Sequence, residues 1–253
     1  MIHLEFEWNL LLLVAAGFMA GVINTIAGGG SLITLPLLIF LGLPPSIANG
    51  TNRIAIFAQN IFTTAGFKSR GVSTFPFNVY LGLSALVGAI IGAAIAVDIR
   101  GDIFNKILAF IMVLVVIFIV FKPKKSLTEY TERLTGKYLW IGIVVFFFIG
   151  IYGGFIQAGV GFFMILALSG IHRMSLVRTN ATKVMVALIF TVGAIVTFAY
   201  HGKINWGYGL VLAIGNASGG WFASRWSVSK GDGLVKIFLV IMVIAMAIKL
   251  WFF

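Results

Sequence analysis

Two polar islands interrupt an otherwise oily chain, and their matching residues stand 131 positions apart. The first runs Gly21-Val-Ile-Asn24-Thr25-Ile-Ala-Gly28-Gly29-Gly30-Ser31 and, past Pro44-Pro45, Asn49-Gly50-Thr51-Asn52-Arg53. The second runs Gly154-Phe-Ile-Gln157-Ala-Gly-Val-Gly161 and then Asn180-Ala181-Thr182-Lys183. The offset that puts Asn49 on Asn180 and Thr51 on Thr182 also carries Gly71 onto Gly202, Phe75 onto Trp206 and Gly88 onto Gly219. A duplicated apolar chain with an interrupted hydrophobic segment at the corresponding place of each copy points to a secondary transporter, with its site at the repeat interface.

Of the 253 residues, 60% are apolar and 10% charged, more grease than a soluble core of this size needs. Several apolar runs approach the twenty residues or so that cross a hydrocarbon core of about 30 Å. The first run follows Glu5 and Glu7 with no Lys or Arg, the reverse of a secretory signal, so it is expected to stay in the chain. No cysteine is present, which excludes a disulfide, a thiolate metal site and a Cys nucleophile. The net charge of +11 comes from 18 basic residues scattered in small groups between apolar spans, a pattern of membrane orientation and not of nucleic-acid binding.

The fold class expected is an all-α integral membrane protein of two repeats, 1–121 and 139–253, joined by a basic linker, 122–138. Each repeat reads as five apolar segments: 10–27, 30–43, 47–67, 77–97 and 103–121, then 139–158, 160–171, 177–200, 206–225 and 234–252. A second segment of fourteen residues makes roughly 21 Å of helix, too short to span, so the first two of each half form a broken or re-entrant pair. With the linker cytoplasmic, counting outward keeps Lys68, Arg70, Arg173, Arg178, Arg225 and Lys230 inside and both termini outside. An odd count per repeat inverts the second half relative to the first and brings the glycine islands together near the midplane. The localisation expected is a cell membrane, crossed several times.

Gly28, Gly29 and Gly30 let the chain break a helix and restart it, with Ser31 near the new N-cap. Free N–H groups at a helix start attract anions. Gly17 with Gly21, Gly88 with Gly92 and Gly215 with Gly219, each four apart, suit close helix packing instead. Arg53 and Lys183 fall one residue apart in the repeat alignment, accompanied by Asn49, Thr51, Asn52, Gln59 and Asn60 in one half and Asn180 and Thr182 in the other. A guanidinium, an ammonium, several neutral donors and two helix starts suit an oxyanion. Arg53→Ala is expected to abolish binding and leave the fold intact.

All seven acids, Glu5, Glu7, Asp98, Asp102, Glu129, Glu132 and Asp232, fall in expected loops or tails, so a cation site or carboxylate proton relay lacks its residues. His172 and His201 sit at loop edges. The glycine island lacks the Lys-Ser/Thr of a P-loop and the G-x-S-x-G of a hydrolase, so no enzyme, cofactor or metal is expected. An anion channel is the competing reading. The partners expected are a small anionic substrate and the lipid bilayer, with a homodimer as a compatible assembly and no nucleic acid.

The pattern Gly21-x-x-Asn24-x-x-Ala-Gly28-Gly29-Gly30-Ser31-Leu, followed by Ala48-Asn49-Gly50-Thr51-Asn52-Arg53 and repeated in degraded form, resembles the sulfite exporter TauE/SafE family of prokaryotic permeases. That resemblance covers almost the whole chain. It implies two repeats of membrane helices and transport of sulfur-containing oxyanions such as sulfite or organosulfonates. It marks Asn24, Gly28, Gly29, Gly30, Asn49, Thr51, Asn52 and Arg53 as site positions. The second half departs from the pattern with Gly161-Phe162-Phe163 in place of a triple glycine, so the first half is expected to dominate binding, with Gln157, Thr182 and Lys183 assisting and Asn180 a further candidate substrate-binding position beside them. Another small anion on the same fold is the nearest alternative.

Overall fold

The protein is described from a computed structural model, which covers the backbone of residues 2–120 and 131–252 and the side chains of residues 8, 10–111 and 131–229. Among these residues every regular element is a helix: α1 (Ile2–Ile26), α2 (Ser31–Phe40), α3 (Pro45–Lys68), α4 (Phe77–Val97), α5 (Gly101–Val120), α6 (Lys137–Phe155), α7 (Val160–Gly170), α8 (Leu176–Tyr200) and α9 (Trp206–Phe252). The helices α4, α6 and α8 are long and apolar enough to cross a membrane. The basic linker falls largely outside the described residues, as do Met1 and Phe253.

Local chemistry explains the boundaries. Pro44 and Pro45 open α3, where a missing N–H costs nothing. Ser175 caps α8 by accepting from the Arg178 N–H at 3.3 Å. The short helices α2 and α7 hold 10 and 11 residues, about 15 Å of rise. Each is preceded by a break containing a left-handed glycine, Gly28 at φ +87° and Gly159 at φ +73°, again 131 positions apart. Glycine reaches that conformation without the clash a Cβ would bring.

Four-residue glycine spacing sets the helix pairing. Gly88 and Gly92 of α4 lie against the α6 backbone at Phe147 and Ile151, while Gly150 and Gly154 of α6 lie against Ala85 and Ala89 of α4. The same interlock joins Gly17 and Gly21 of α1 to Gly215 and Gly219 of α9, through Leu212, Asn216, Val14 and Phe18. Small residues that let backbones approach gain dispersion contacts that lipid cannot supply. As a result α4 packs mainly on α6 and α8, and α9 mainly on α1 and α3; each half's fourth helix is embedded in the other half.

Three expectations are corrected. The loop placed between residues 225 and 234 is absent, because α9 runs unbroken from Trp206 to Phe252. No proline follows Pro123, and Gly231 and Gly233 lower helix propensity by about 1 kcal/mol each without blocking it. The second half is therefore four helices where five segments were expected. Four of the acids assigned to loops or tails lie within helix bounds: Glu5 and Glu7 in α1, Asp102 in α5 and Asp232 in α9. Asp102 occupies the first turn of α5, a favourable place for an anion, and pairs with Arg100 at 3.2 Å on the surface. Ser31 is the first residue of α2 and not its cap; Gly30 holds the N-cap position without a side-chain hydrogen bond.

Candidate functional site at the two helix breaks

The breaks meet. Gly28 and Gly161 are packed backbone against backbone, so that a Cβ on either would run into the other. The ends of α1 and α6 and the starts of α2 and α7 thus converge on one point inside the protein.

Each helix end is held by a cation from the opposite half. Arg53 on α3, fully buried, donates from Nη1 to Gly153 O and from Nη2 to Gly154 O in the last turn of α6, both at 2.7 Å. Nη1 also reaches Gln157 Oε1 at 2.7 Å and Nη2 reaches Asn49 Oδ1 at 3.2 Å. Lys183 on α8 donates from Nζ to Asn24 O, Thr25 O and Asn180 Oδ1, all at 2.9 Å, and so closes the last turn of α1. The neighbouring asparagines repeat one device: Asn49 Nδ2 donates to Phe155 O at 2.8 Å, and Asn180 Nδ2 donates to Ile26 O at 3.3 Å. The last carbonyls of a helix lack intrahelical partners and carry its negative end, so a cation there satisfies both needs.

The matched threonines also act as a pair. Thr51 Oγ1 accepts from the Asn205 N–H at 2.8 Å just before α9, and Thr182 Oγ1 donates to Thr74 Oγ1 at 2.9 Å just before α4. Ser31 and Asn52 tie the short helix α2 to α3: Asn52 Nδ2 donates to Ser31 Oγ at 3.1 Å, and Thr34 Oγ1 donates to Asn52 Oδ1 at 2.7 Å. Thr25 Oγ1 returns to Gly21 O at 2.8 Å. Gly29 lies under the Phe162 ring and Gly30 against α1 at Ala20 and Asn24. Among the sequence-designated residues, Asn24, Gln157 and Lys183 share a cavity, while Ser31, Thr51, Asn52 and Thr182 serve as ties around it.

The cavity measures about 10 Å³ and is lined by Asn24, Asn60, Gln157, Val160, Gly161, Met164, Lys183, Val184 and Ala187. That is room for about one water, so the site is closed in this conformation. No carboxylate lines it, and among the described residues no group of three His, Cys, Asp or Glu could hold a metal. Asn60, which the sequence offers only as a companion of Arg53, lines the cavity fully buried with neither amide atom hydrogen-bonded. Its signal was its spacing: positions 49, 53, 60 and 64 recur at helical intervals and put Asn60 on the Arg53 face of α3. Gln59 sits beside it, its Oε1 accepting from Asn24 Nδ2 at 3.2 Å and from Asn216 Nδ2 of α9 at 3.4 Å.

Against known proteins, the chain matches the family described as sulfite exporter TauE/SafE over residues 13–250. The chain belongs to that family. Consistent with membership of TauE/SafE, it is 30% identical over 241 residues to a probable membrane transporter protein, ORF9, of Sinorhizobium sp., covering 95% of this chain and 92% of the relative. A probable membrane transporter protein of Haemophilus influenzae is 29% identical over 95% of this chain and 94% of its own length. YfcA of Escherichia coli K12, also a probable membrane transporter protein, is 27% identical over 92% of this chain and 86% of its own length. No solved structure matches the chain significantly. The TauE/SafE chain is thus a membrane transporter by family, with its breaks, cations and cavity in one place.

Proposed function

We propose that this protein exports a small sulfur-containing oxyanion, sulfite or an organosulfonate, by alternating access. The observation that carries the reading is the charge gathered at the helix breaks, with Lys183 on the cavity wall and Arg53 bonded to Gln157, which lines it. Arg53 and Lys183 bring two positive charges to the helix breaks, and the lining holds no carboxylate. The ends of α1 and α6 return about half a negative charge each, and the starts of α2 and α7 about half a positive charge each. The balance stays positive and favours an anion. In the closed form the three Lys183 protons are all occupied by Asn24 O, Thr25 O and Asn180 Oδ1; the incoming anion takes the place of Asn180 and recruits the unpaired amide of Asn60.

The halves act as inverted repeats, with the linker 122–138 in the cytoplasm of a prokaryotic cell and the breaks at mid-membrane. A monoanion leaving a cell whose interior is negative by about 100 mV gains roughly 2.3 kcal/mol, close to a fiftyfold concentration ratio, and needs no coupled ion. The cavity's room for about one water supports binding and release over open conduction, the reading that an anion channel would require.

The test has two arms. Purified protein is heated with sulfite, sulfate, thiosulfate, taurine, sulfoacetate, a carboxylate of similar size, or sodium alone; one sulfur oxyanion is expected to raise the melting temperature. In vesicles loaded with that anion, an inside-negative potential is expected to speed efflux and an inside-positive one to slow it. Stabilisation by cations alone, or efflux that depends wholly on a sodium gradient, sinks the reading.

A further inference from the structure

The helices α3 and α8 pack together, and their contacts fix the register of the seam. The Arg53 guanidinium lies 5.2 Å from the centre of the Phe198 ring, which also faces the Gly50 backbone. Further along α3, Phe67 is buried in one cluster with Ala181 and Val184 of α8. Asn60 stands seven residues from both Arg53 and Phe67, and Thr191 stands seven from both Val184 and Phe198. Seven residues are about two helical turns. Each of the two therefore shares a face with its flanking contacts, and they meet at the middle of the seam.

The pair also obeys the relation between the halves. Asn60 and Thr191 are 131 positions apart, the offset that matches Asn49 with Asn180 and Gly28 with Gly159. In an inverted-repeat arrangement, two equivalent residues that face one another sit on the axis that exchanges the halves. A ligand group held there keeps its partners when the halves exchange roles.

Both residues are fully buried and unbonded, Asn60 at both amide atoms and Thr191 at Oγ1. Thr25, Thr182 and Thr197 return their hydroxyls to the carbonyl four residues back, but Thr191 makes no such bond to Ala187. Ala187 lines the central cavity with Asn60 and Lys183. Helical side chains lean toward the N-terminus of their helix, which tilts Thr191 toward Ala187. Buried polar groups in native proteins are paired, so an amide and a hydroxyl left open across one seam, beside a cavity, mark a place that a polar ligand completes.

The open atoms are of both kinds. Asn60 Oδ1 only accepts, Nδ2 only donates, and the Thr191 hydroxyl does either. A bare oxyanion satisfies the donors and leaves Oδ1 empty, whereas a sulfur oxyanion with a hydroxyl of its own satisfies all three atoms. We infer that Thr191 is a substrate-binding residue and that, with Asn60, it selects hydroxylated sulfonates over their unsubstituted counterparts. The ligand hydroxyl donates to Asn60 Oδ1 and accepts from Thr191 Oγ1, Asn60 Nδ2 donates to a sulfonate oxygen, and the negative charge lies against Lys183. This role rests on the anion-export reading for the nature of its ligand.

Ethanesulfonate and isethionate, its terminally hydroxylated counterpart, differ by the group in question. The melting temperature of the purified protein, followed against the concentration of each, gives an apparent dissociation constant. Isethionate is expected to bind the wild-type protein on the order of tenfold more tightly. T191V, isosteric and without the hydroxyl, is expected to melt no lower than wild type in the absence of ligand and to lose most of that preference; T191S is expected to keep it. A wild-type ratio of one or less, a ratio unchanged in T191V, a ratio lost equally in T191S, or no stabilisation by either sulfonate overturns the assignment. Potential-driven efflux of the two sulfonates from vesicles holding the wild-type protein tests the export reading by itself. A hydroxyl preference that T191V removes, without efflux, keeps the pair and ends that reading, while efflux with no such preference does the reverse.

Discussion

Asn49 and Asn180 make the same two hydrogen bonds in opposite halves of the chain. Each gives its Oδ1 to a cation of its own helix, Arg53 or Lys183, and its Nδ2 to the last carbonyl of the other half's broken helix, Phe155 or Ile26. The two halves are therefore cross-clamped at the point where their helices stop.

The clamp changes what removing Arg53 does. The sequence alone suggested a site charge whose loss spares the fold, but the guanidinium holds two α6 carbonyls, Gln157 and Asn49. Arg53→Ala leaves those acceptors buried and unpaired and is expected to cost about 3–5 kcal/mol. Thermal denaturation of the purified protein, followed by loss of the monodisperse peak, measures it. A melting temperature equal to wild type would show that the guanidinium does not hold α6.

Asn60 should behave in the opposite way. Its amide is buried without partners, so Asn60→Leu removes a desolvated polar group and is expected to leave stability unchanged or raise it by about 1–2 kcal/mol. Stabilisation by the transported anion should disappear in the same variant. Retained anion stabilisation would take Asn60 out of the binding wall.

The Gly28–Gly161 contact leaves no space for a methyl group. Gly161→Ala is expected to cost about 1–3 kcal/mol through overpacking alone. Gly28→Ala adds about 1–2 kcal/mol for a left-handed residue with a Cβ, and so should melt lower than Gly161→Ala. The reverse order would mean that space, and not φ, limits the break.

His172 supplies a pH dependence. It sits in the α7–α8 connection with its side chain fully buried, edge-on to Phe77, Nδ1 paired with Arg133 O at 2.9 Å and Nε2 unpaired. Burial pushes its pKa below the usual 6.5, against the smaller opposing pull of the Arg133 carbonyl. The unfolded chain thus takes up the proton first. The stability His172 supports is present above pH 6.5 or so and is lost as pH falls through its lower folded value. Melting temperature against pH should fall on the acid side of 6.5 and flatten there in His172→Phe; an identical slope in both proteins would remove His172 from the account.

Much of the architecture was legible because it rests on local rules. Apolar run lengths located the eight helices up to Tyr200, most ends falling within a few residues, and the four-residue glycine pairs marked close-packing faces on α1, α4 and α9, but neither which faces meet nor the matching Gly150 and Gly154 of α6. The 131-residue register likewise picked out Asn49 with Asn180 and Thr51 with Thr182 as equivalent pairs. What stayed hidden depends on partners distant in sequence. Nothing local reveals that Arg53 spends its protons on Gly153 and Gly154 a hundred residues on, or that Thr51 and Thr182 hold the loops before α9 and α4 and do not line a cavity. The loop expected near residue 230 failed for a different reason: charged and glycine-rich residues weaken a helix, but without proline they do not end it.

The crossed packing of α4 and α9 bears on the order of assembly during synthesis. When α4 leaves the ribosome, the glycine-bearing surface of α6 that its own glycines fit has not yet been made. In the same way α1 waits through the seven helices α2 to α8 for the Gly215–Gly219 face of α9. The first half therefore enters the membrane as helices without their closest neighbours, and the compact form arises only when the last helix arrives. A chain cut within the linker should need both fragments in one cell to yield either.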